Sequence, residues 1–168
     1  MEEMKQRTLT LIAVLFCAVT AFAQHAPDFA EKFMTLCKGD SMVKCVTVSP
    51  KMMEQLADRL TELPPETDLA QVISKLRSVR IVSASSQYYE RADQLLKRNA
   101  KRFKAAEGFQ TDTLRGAFFT RQDRKGNTVE LVMLREDIQR QQLTIICLTG
   151  DIDKEFLCFL YNSKSFKN

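Results

Sequence analysis

The apolar positions in the first part of the chain follow a helical and then an extended pattern. Between Pro27 and Lys38 they recur at the spacing of one helix face. Met42–Val48 is rich in β-branched residues and predicts a strand. Ser49-Pro50 then supplies an N-cap and a first-turn proline, which predicts a second helix. The expected buried positions of the two helices are Phe29, Ala30, Phe33 and Cys37, and Met53, Leu56, Ala57 and Leu60.

The middle of the chain predicts two more helices with a strand between them. Pro64-Pro65 interrupts the pattern, and a short helix is expected from Thr67 or Asp68. Its buried residues are expected to be Leu69, Val72, Ile73 and Leu76. Val79–Ala84 predicts a strand, and the longest helix is expected at about Tyr88–Ala105. That helix should turn Ala92, Leu95, Leu96 and Phe103 inward.

The last third changes to short apolar runs separated by polar turns, which predicts an antiparallel meander. Its predicted strands are Ala117–Arg121, Thr128–Leu134 and Leu143–Thr149. Asp123–Asn127 carries Gly-Asn and predicts the first hairpin connection. A closing helix is expected at about Ile152–Tyr161, with Asp151 as its cap and Ile152, Phe156, Phe159 and Leu160 buried.

These patterns predict an α+β fold with the element order α-β-α-α-β-α-β-β-β-α. Because helices separate the two early strands, we expect those strands to be parallel neighbours. The three later strands form the antiparallel meander, so the expected architecture is a mixed sheet packed by amphipathic helices. No internal repeat or linker divides residues 24–168, which are expected to form a single domain.

The opening of the chain has the order of a cleavable secretory signal. Lys5 and Arg7 precede an uncharged apolar run, Thr8–Phe22, and small residues follow at the cleavage position. Cleavage is expected between Ala23 and Gln24, with the translation start left open between Met1 and Met4. The mature protein is therefore expected to be periplasmic, envelope-associated or secreted, without a transmembrane anchor after processing.

Composition limits the classes of function. The net charge of +4 is too small for a nucleic-acid-binding signature, so nucleic acid is not an expected partner. Four cysteines follow the signal, and their spacing is not that of a metal knuckle. Each lies in an apolar stretch, which favours buried thiols, although export permits disulfides and their pairing stays open. These residues are Cys37, Cys45, Cys147 and Cys158.

The sequence assigns no catalytic, cofactor-binding or metal-binding residue. His25 is the one histidine and would lie beside the mature N-terminus, which argues against histidine-dependent nucleophilic catalysis and histidine zinc sites. The acids Asp151, Asp153 and Glu155 suit a helix N-terminus better than a calcium loop. Paired carboxylates remain an alternative, and the candidate acids are Asp112, Glu130 and Asp151.

Two surface features could serve binding. The aromatic pairs Tyr88-Tyr89 and Phe118-Phe119 could line a carbohydrate or peptide groove, although core positions are the commoner use of such pairs. The helix that starts at Tyr88 carries many basic residues, which we interpret as a solvated face diluted by nearby acids. They are Arg91, Lys97, Arg98, Lys101, Arg102 and Lys104.

Gly126–Val132, Leu143–Ile146 and the ending Leu148–Asp153 resemble the closing part of a family of exported Bacteroidetes proteins whose shared domain has no known function. The motif Leu-Thr-Gly-Asp-Ile-Asp is the most specific element of this resemblance. The resemblance implies export and the fold, and it transfers no catalytic residue.

The predicted function is a non-catalytic binding or interaction module of the cell envelope. Its partner would be an envelope protein, a peptide or a glycan. The alternative is a carboxylate-dependent hydrolase that acts on glycans. A third possibility is an assembly role in which an exposed sheet edge pairs with a second copy.

Overall fold

The computed structural model describes residues 27–61 and 73–157. The predicted signal with its cleavage residues Ala23 and Gln24, together with His25 and Cys158, lies outside these residues. The same is true of most of the helix predicted after Pro64-Pro65. Residues 73–74 are helical, but Leu76 already belongs to a strand.

Three helices and six strands make up the described fold. The helices are α1 (Phe29–Leu36), α2 (Pro50–Thr61) and α3 (Tyr89–Arg98), with a 3-10 turn at Ser86–Tyr88 before α3. The strands are β1 (Lys44–Val48), β2 (Leu76–Ser85), β3 (Phe103–Gln110), β4 (Leu114–Gln122), β5 (Thr128–Asp137) and β6 (Gln142–Gly150). Residues 154–157 form a further helical turn.

All six strands join one sheet in the order β1-β2-β6-β5-β4-β3. Every neighbouring pair is antiparallel, so the prediction of a mixed sheet with parallel early strands is wrong. Val48, the last residue of β1, lies opposite Val79 near the start of β2. The connection after β1 therefore returns the chain to the end of the sheet at which β1 finished, and no crossover occurs.

The prediction of a long helix at Tyr88–Ala105 is also wrong beyond Arg98. The Asn99 side chain donates to the carbonyl oxygen of Leu95, and the Asn99 carbonyl accepts the amides of Arg102 and Phe103. These bonds end α3 at Arg98 and turn the chain into β3, an unpredicted strand that begins at Phe103. The Ala92 and Leu96 predictions are confirmed, since both are buried in the core.

Two smaller predictions about helices need correction. Asp153, rather than Asp151, caps the last helical turn, because its carboxylate accepts the amide of Phe156. Leu56, expected to be buried, is exposed on α2, whereas Met53 is buried as predicted. Ser49 starts α2 as expected and accepts the Met53 amide through its carbonyl oxygen.

The sheet buries apolar side chains on both faces. On one face α1 and α3 cover a core built around Phe29, Phe33, Leu96, Val132 and Leu134. On the other face Ile152 and Phe156, after β6, pack against Phe118, Leu131 and Met133. The predictions that Ile152 and Phe156 are buried are thus confirmed.

Buried carboxylates form ion pairs beside the helix-covered core, near the start of α1. Glu130 of β5 binds Arg121 of β4, and its second oxygen accepts the amide of Phe29 at 2.7 Å. Asp28, the α1 N-cap, binds Arg80 of β2 at 3.2 Å. These contacts anchor the start of α1 directly to β5 and β2, and to β4 through Glu130. A carboxylate suits this position because the backbone amides at a helix N-terminus favour negative charge.

The described cysteines Cys37, Cys45 and Cys147 are unpaired thiols. Burial, reinforced by the negative charge of Glu130, raises the pKa of Cys147 well above its usual value. The thiol therefore stays protonated and packs as a small apolar group.

Among the described helices, none combines the length and the apolar character needed to span a bilayer.

Candidate functional site

A groove of about 560 Å³ runs between α3 and the edge strand β3. Residues of α3, of β3 and of the first half of β4 line it. From α3 these are Tyr89, Glu90, Asp93 and Lys97; from β3, Ala105 to Gln110; and from β4, Arg115, Gly116, Ala117 and Phe119. The groove is thus open to solvent along the margin of the sheet.

The floor of the groove is low because small residues occupy the strand positions that face α3. Ala105 of β3 lies opposite Phe119, and Gly108 lies opposite Ala117. Phe119 belongs to the core beneath the helices, so Ala105 and Gly108 point to the same side of the sheet. Their lack of bulk leaves the space that forms the groove.

The side chains of Arg115 and Tyr89 form one wall of the groove. The Arg115 guanidinium lies 4.1 Å from the centre of the Tyr89 ring, within the range of a cation–π contact. Its Nε donates to Glu136, and its Nη1 lies 2.9 Å from Glu90. The hydrogen bond to Glu136 raises the pKa of Arg115, while burial and the charge of Asp93 raise the pKa of Tyr89.

Carboxylates outnumber cations along the groove. Glu90, Asp93 and Glu107 line it together with Lys97 and Arg115. Both cations already have acidic partners, since Lys97 pairs with Asp93 at 2.6 Å and Arg115 binds Glu90 and Glu136. The ionisable residues that line the groove therefore carry a formal net charge of −1.

Within the described residues, β3 pairs with β4 and with no other strand. Its other side therefore carries main-chain groups that face outward, beside the groove. The pairing with β4 shifts register between Ala105 and Glu107, which marks a bulge in the edge strand. The positions from Lys104 to Gly108 are all exposed.

The acids suggested by the sequence do not meet at this groove. Asp112 lies in the turn between β3 and β4, whereas Asp151 follows β6 at the opposite end of the sheet. Glu130 is completely buried, and Arg121 and the Phe29 amide occupy its two oxygens. Residues 27–61 and 73–157 contain no cluster of three or more His, Cys, Asp or Glu suited to a metal ion.

Comparison with known families assigns the domain. Residues 36–157 match the model of the DUF4252 family, described as a domain of unknown function. The chain belongs to this family. The DUF4252 match includes α3, β3 and β4, and hence the whole groove. No curated protein matches the sequence.

Two residues of this DUF4252 groove are visible in the sequence, whereas its open edge is not. Tyr89 and Phe119 are buried core residues, the use that the sequence favours for the aromatic pairs, and both also line the groove. Phe118 instead packs in the core on the other face of the sheet. The apolar pattern does not reveal the open edge, because it extends the predicted helix to Ala105 and predicts no strand at Phe103–Gln110; Asn99 is a local signal for an earlier helix end.

Proposed function

We propose that this chain is an exported, non-catalytic binding module of the cell envelope that takes an extended, basic peptide segment of a partner protein. The observation that carries the proposal is the coincidence of an open strand edge and an acidic groove along β3. Export is supported by the predicted signal and by the resemblance to exported Bacteroidetes proteins.

Main-chain pairing would supply sequence-independent affinity. An extended peptide beside β3 adds a seventh strand, because its amides and carbonyls meet those that face outward from the edge. Strand addition of this kind needs an accessible edge, and β3 has no partner on its outer side among the described strands, while its residues Lys104 to Gly108 are exposed. The bulge between Ala105 and Glu107 limits how far pairing with the edge can extend, which favours short partners over sheet aggregation.

The groove would supply the preference for side chains. Alternate side chains of an added strand point to the α3 side of the sheet. There they meet a floor of Ala105 and Gly108 and a wall that includes Glu90 and Asp93. Long basic side chains fit this arrangement, since their stems cover apolar surface while their charged ends reach carboxylates.

Binding of a labelled peptide tests this proposal. The probe is an acetylated, amidated octapeptide of alternating lysine and threonine, as long as the eight-residue β3. We expect saturable binding by fluorescence anisotropy, and we expect Glu90→Lys to weaken it about tenfold because repulsion replaces attraction. Glu54→Lys is the matched control, since Glu54 is an exposed acid on α2 away from the groove.

Three comparison probes decide the chemistry. The same octapeptide with glutamate in place of lysine should bind weakly, and so should a version N-methylated at alternate residues. A neutral oligosaccharide should not compete. If the N-methylated peptide binds as tightly as the lysine–threonine octapeptide, strand addition is ruled out. If the acidic peptide binds as tightly, the preference for basic side chains is ruled out. Displacement by the oligosaccharide would point to a glycan site instead.

Export is tested by the position of processing. We expect the full chain, tagged at its C-terminus and expressed in a Gram-negative host, to reach the periplasm with Gln24 as its first residue by mass spectrometry. Ala23→Tyr should leave the precursor uncut, because the cleavage position needs a small residue. Ala26→Tyr is the control and should be processed normally. An uncleaved, cytoplasmic wild-type chain would contradict export.

A further inference from the structure

A second cavity lies at the opposite end of the sheet from the Asp112 turn. It encloses about 430 Å³ where the β4–β5 hairpin meets the start of β2 and the end of β6. Polar side chains dominate its lining, among them Arg77, Arg121, Asp123, Asn127, Thr149 and Asp151. The cavity is separate from the groove beside β3 and shares no lining residue with it.

Arg121 is fixed in this cavity from below. Its Nε donates to the completely buried carboxylate of Glu130 at 2.6 Å, and Glu130 is itself held by the amide of Phe29. The two terminal nitrogens of Arg121 have no hydrogen-bond partner among residues 27–61 and 73–157. The guanidinium is therefore held in one orientation while two donor groups remain available.

Arg77 brings a second cation to the same cavity. It is exposed and has no hydrogen bond or ion pair in the described part of the chain. The pairing of β2 with β6 shifts between Leu76 and Ser78, so Arg77 is the bulged residue. Bulges re-aim side chains and are common beside binding sites. The β4–β5 pairing also shifts directly after Arg121.

We infer that this cavity binds a carboxylate that carries neighbouring hydroxyl or ammonium donors, as in a sugar acid or a free amino acid. The planar guanidinium donors of Arg121 and Arg77 match a carboxylate. Asp123 and Asp151 on the same lining disfavour a doubly charged phosphate. The Asp123 oxygens already accept hydrogen bonds within the hairpin turn, so Asp151 is the acceptor for a hydroxyl or ammonium group of the ligand. This site stands independently of the peptide groove.

Isothermal titration of the mature protein with glucuronate and with L-alanine tests the inference. We expect one of the two to bind with one-site stoichiometry, which also identifies the source of the carboxylate. The methyl ester of the bound compound should bind much more weakly because it lacks the charge. Inorganic phosphate should bind more weakly than the carboxylate.

Arg77→Ala is the decisive variant, since Arg77 is exposed and its loss leaves no buried charge unpaired. It should weaken binding about tenfold to a hundredfold, as expected for a lost charge-assisted contact. Arg124→Ala is the matched control, because Arg124 lies in the adjacent hairpin turn but not on the cavity lining. No binding of either carboxylate at millimolar concentration would overturn the inference, as would tighter phosphate binding or equal losses in Arg77→Ala and Arg124→Ala.

Discussion

Arg121→Ala is expected to lower the free energy of unfolding by about 3 kcal/mol, because it removes the partner of a buried charge. Glu130 has no exposed surface, whereas the Arg121 side chain keeps 19% of its own. The variant would leave the Glu130 carboxylate with the Phe29 amide as its one remaining partner among the described residues. Chemical denaturation of the mature wild-type and variant proteins measures the difference.

Two further variants separate loss of the ion pair from loss of an arginine. Arg124→Ala, on the exposed hairpin turn, should change stability by less than about 0.5 kcal/mol. The double variant Arg121→Met with Glu130→Gln should be more stable than Arg121→Ala. The side-chain oxygen of the introduced glutamine can still accept the hydrogen bond from the Phe29 N–H, and no unpaired charge is buried. The account fails if Arg121→Ala is as stable as Arg124→Ala.

Gly116→Ala is expected to destabilise the protein by about 3 kcal/mol, at the upper end of overpacking effects. Gly116 lies opposite Phe109 in the β3–β4 ladder. A methyl group at this position would overlap both the Phe109 ring and the carbonyl oxygen of Leu134. The ring or the backbone of β5 must then move, and Phe109 would lose its packing against Phe118. Thermal and chemical unfolding provide the measurement.

Gly108→Ala is the matched control in the neighbouring strand. A methyl group there would meet the Gly116 carbonyl oxygen at 3.6 Å, an ordinary contact. Its stability should therefore stay within about 0.5 kcal/mol of the wild type. Equal losses in both variants would show that glycine is needed on this edge for a reason other than the close approach at Gly116.

The sequence predicted best where local signals and burial agree. The α1 stripe of Phe29 and Phe33 and the hairpin turn at Asp123–Asn127 are present in the structure. In that turn the Asp123 carboxylate accepts the amides of Lys125 and Asn127. Such features depend on neighbouring residues along the chain, and their patterns are therefore visible without the fold.

The failed predictions concern β3 and the direction of β1. Phe103–Gln110 contains two alanines and a glycine, so it lacks the apolar alternation of a half-buried strand. It is a strand because β4 pairs with it, which is a long-range effect. The direction of β1 depends on where the connection after Val48 returns, and hydrophobic periodicity carries no information about that path.

The candidate sites also combine residues that sequence patterns suggest with features that depend on the three-dimensional fold. Tyr89 and Phe119 could be nominated for a groove from their aromatic pairs, but the small-residue floor became visible only once β3 was placed beside α3. The second cavity could not be predicted, because Arg77, Arg121 and Asp151 are distant in sequence. Register shifts in two separate ladders bring the arginines there.

Amide hydrogen exchange on β3 is the most direct test of the central claim, that an extended chain pairs with this edge. With saturating alternating lysine–threonine octapeptide, alternate amides between Lys104 and Gln110 should exchange more slowly, while those of β1, the other sheet edge, should be unchanged. Unchanged exchange on β3 in the bound state, or slowing confined to β1, would contradict the claim.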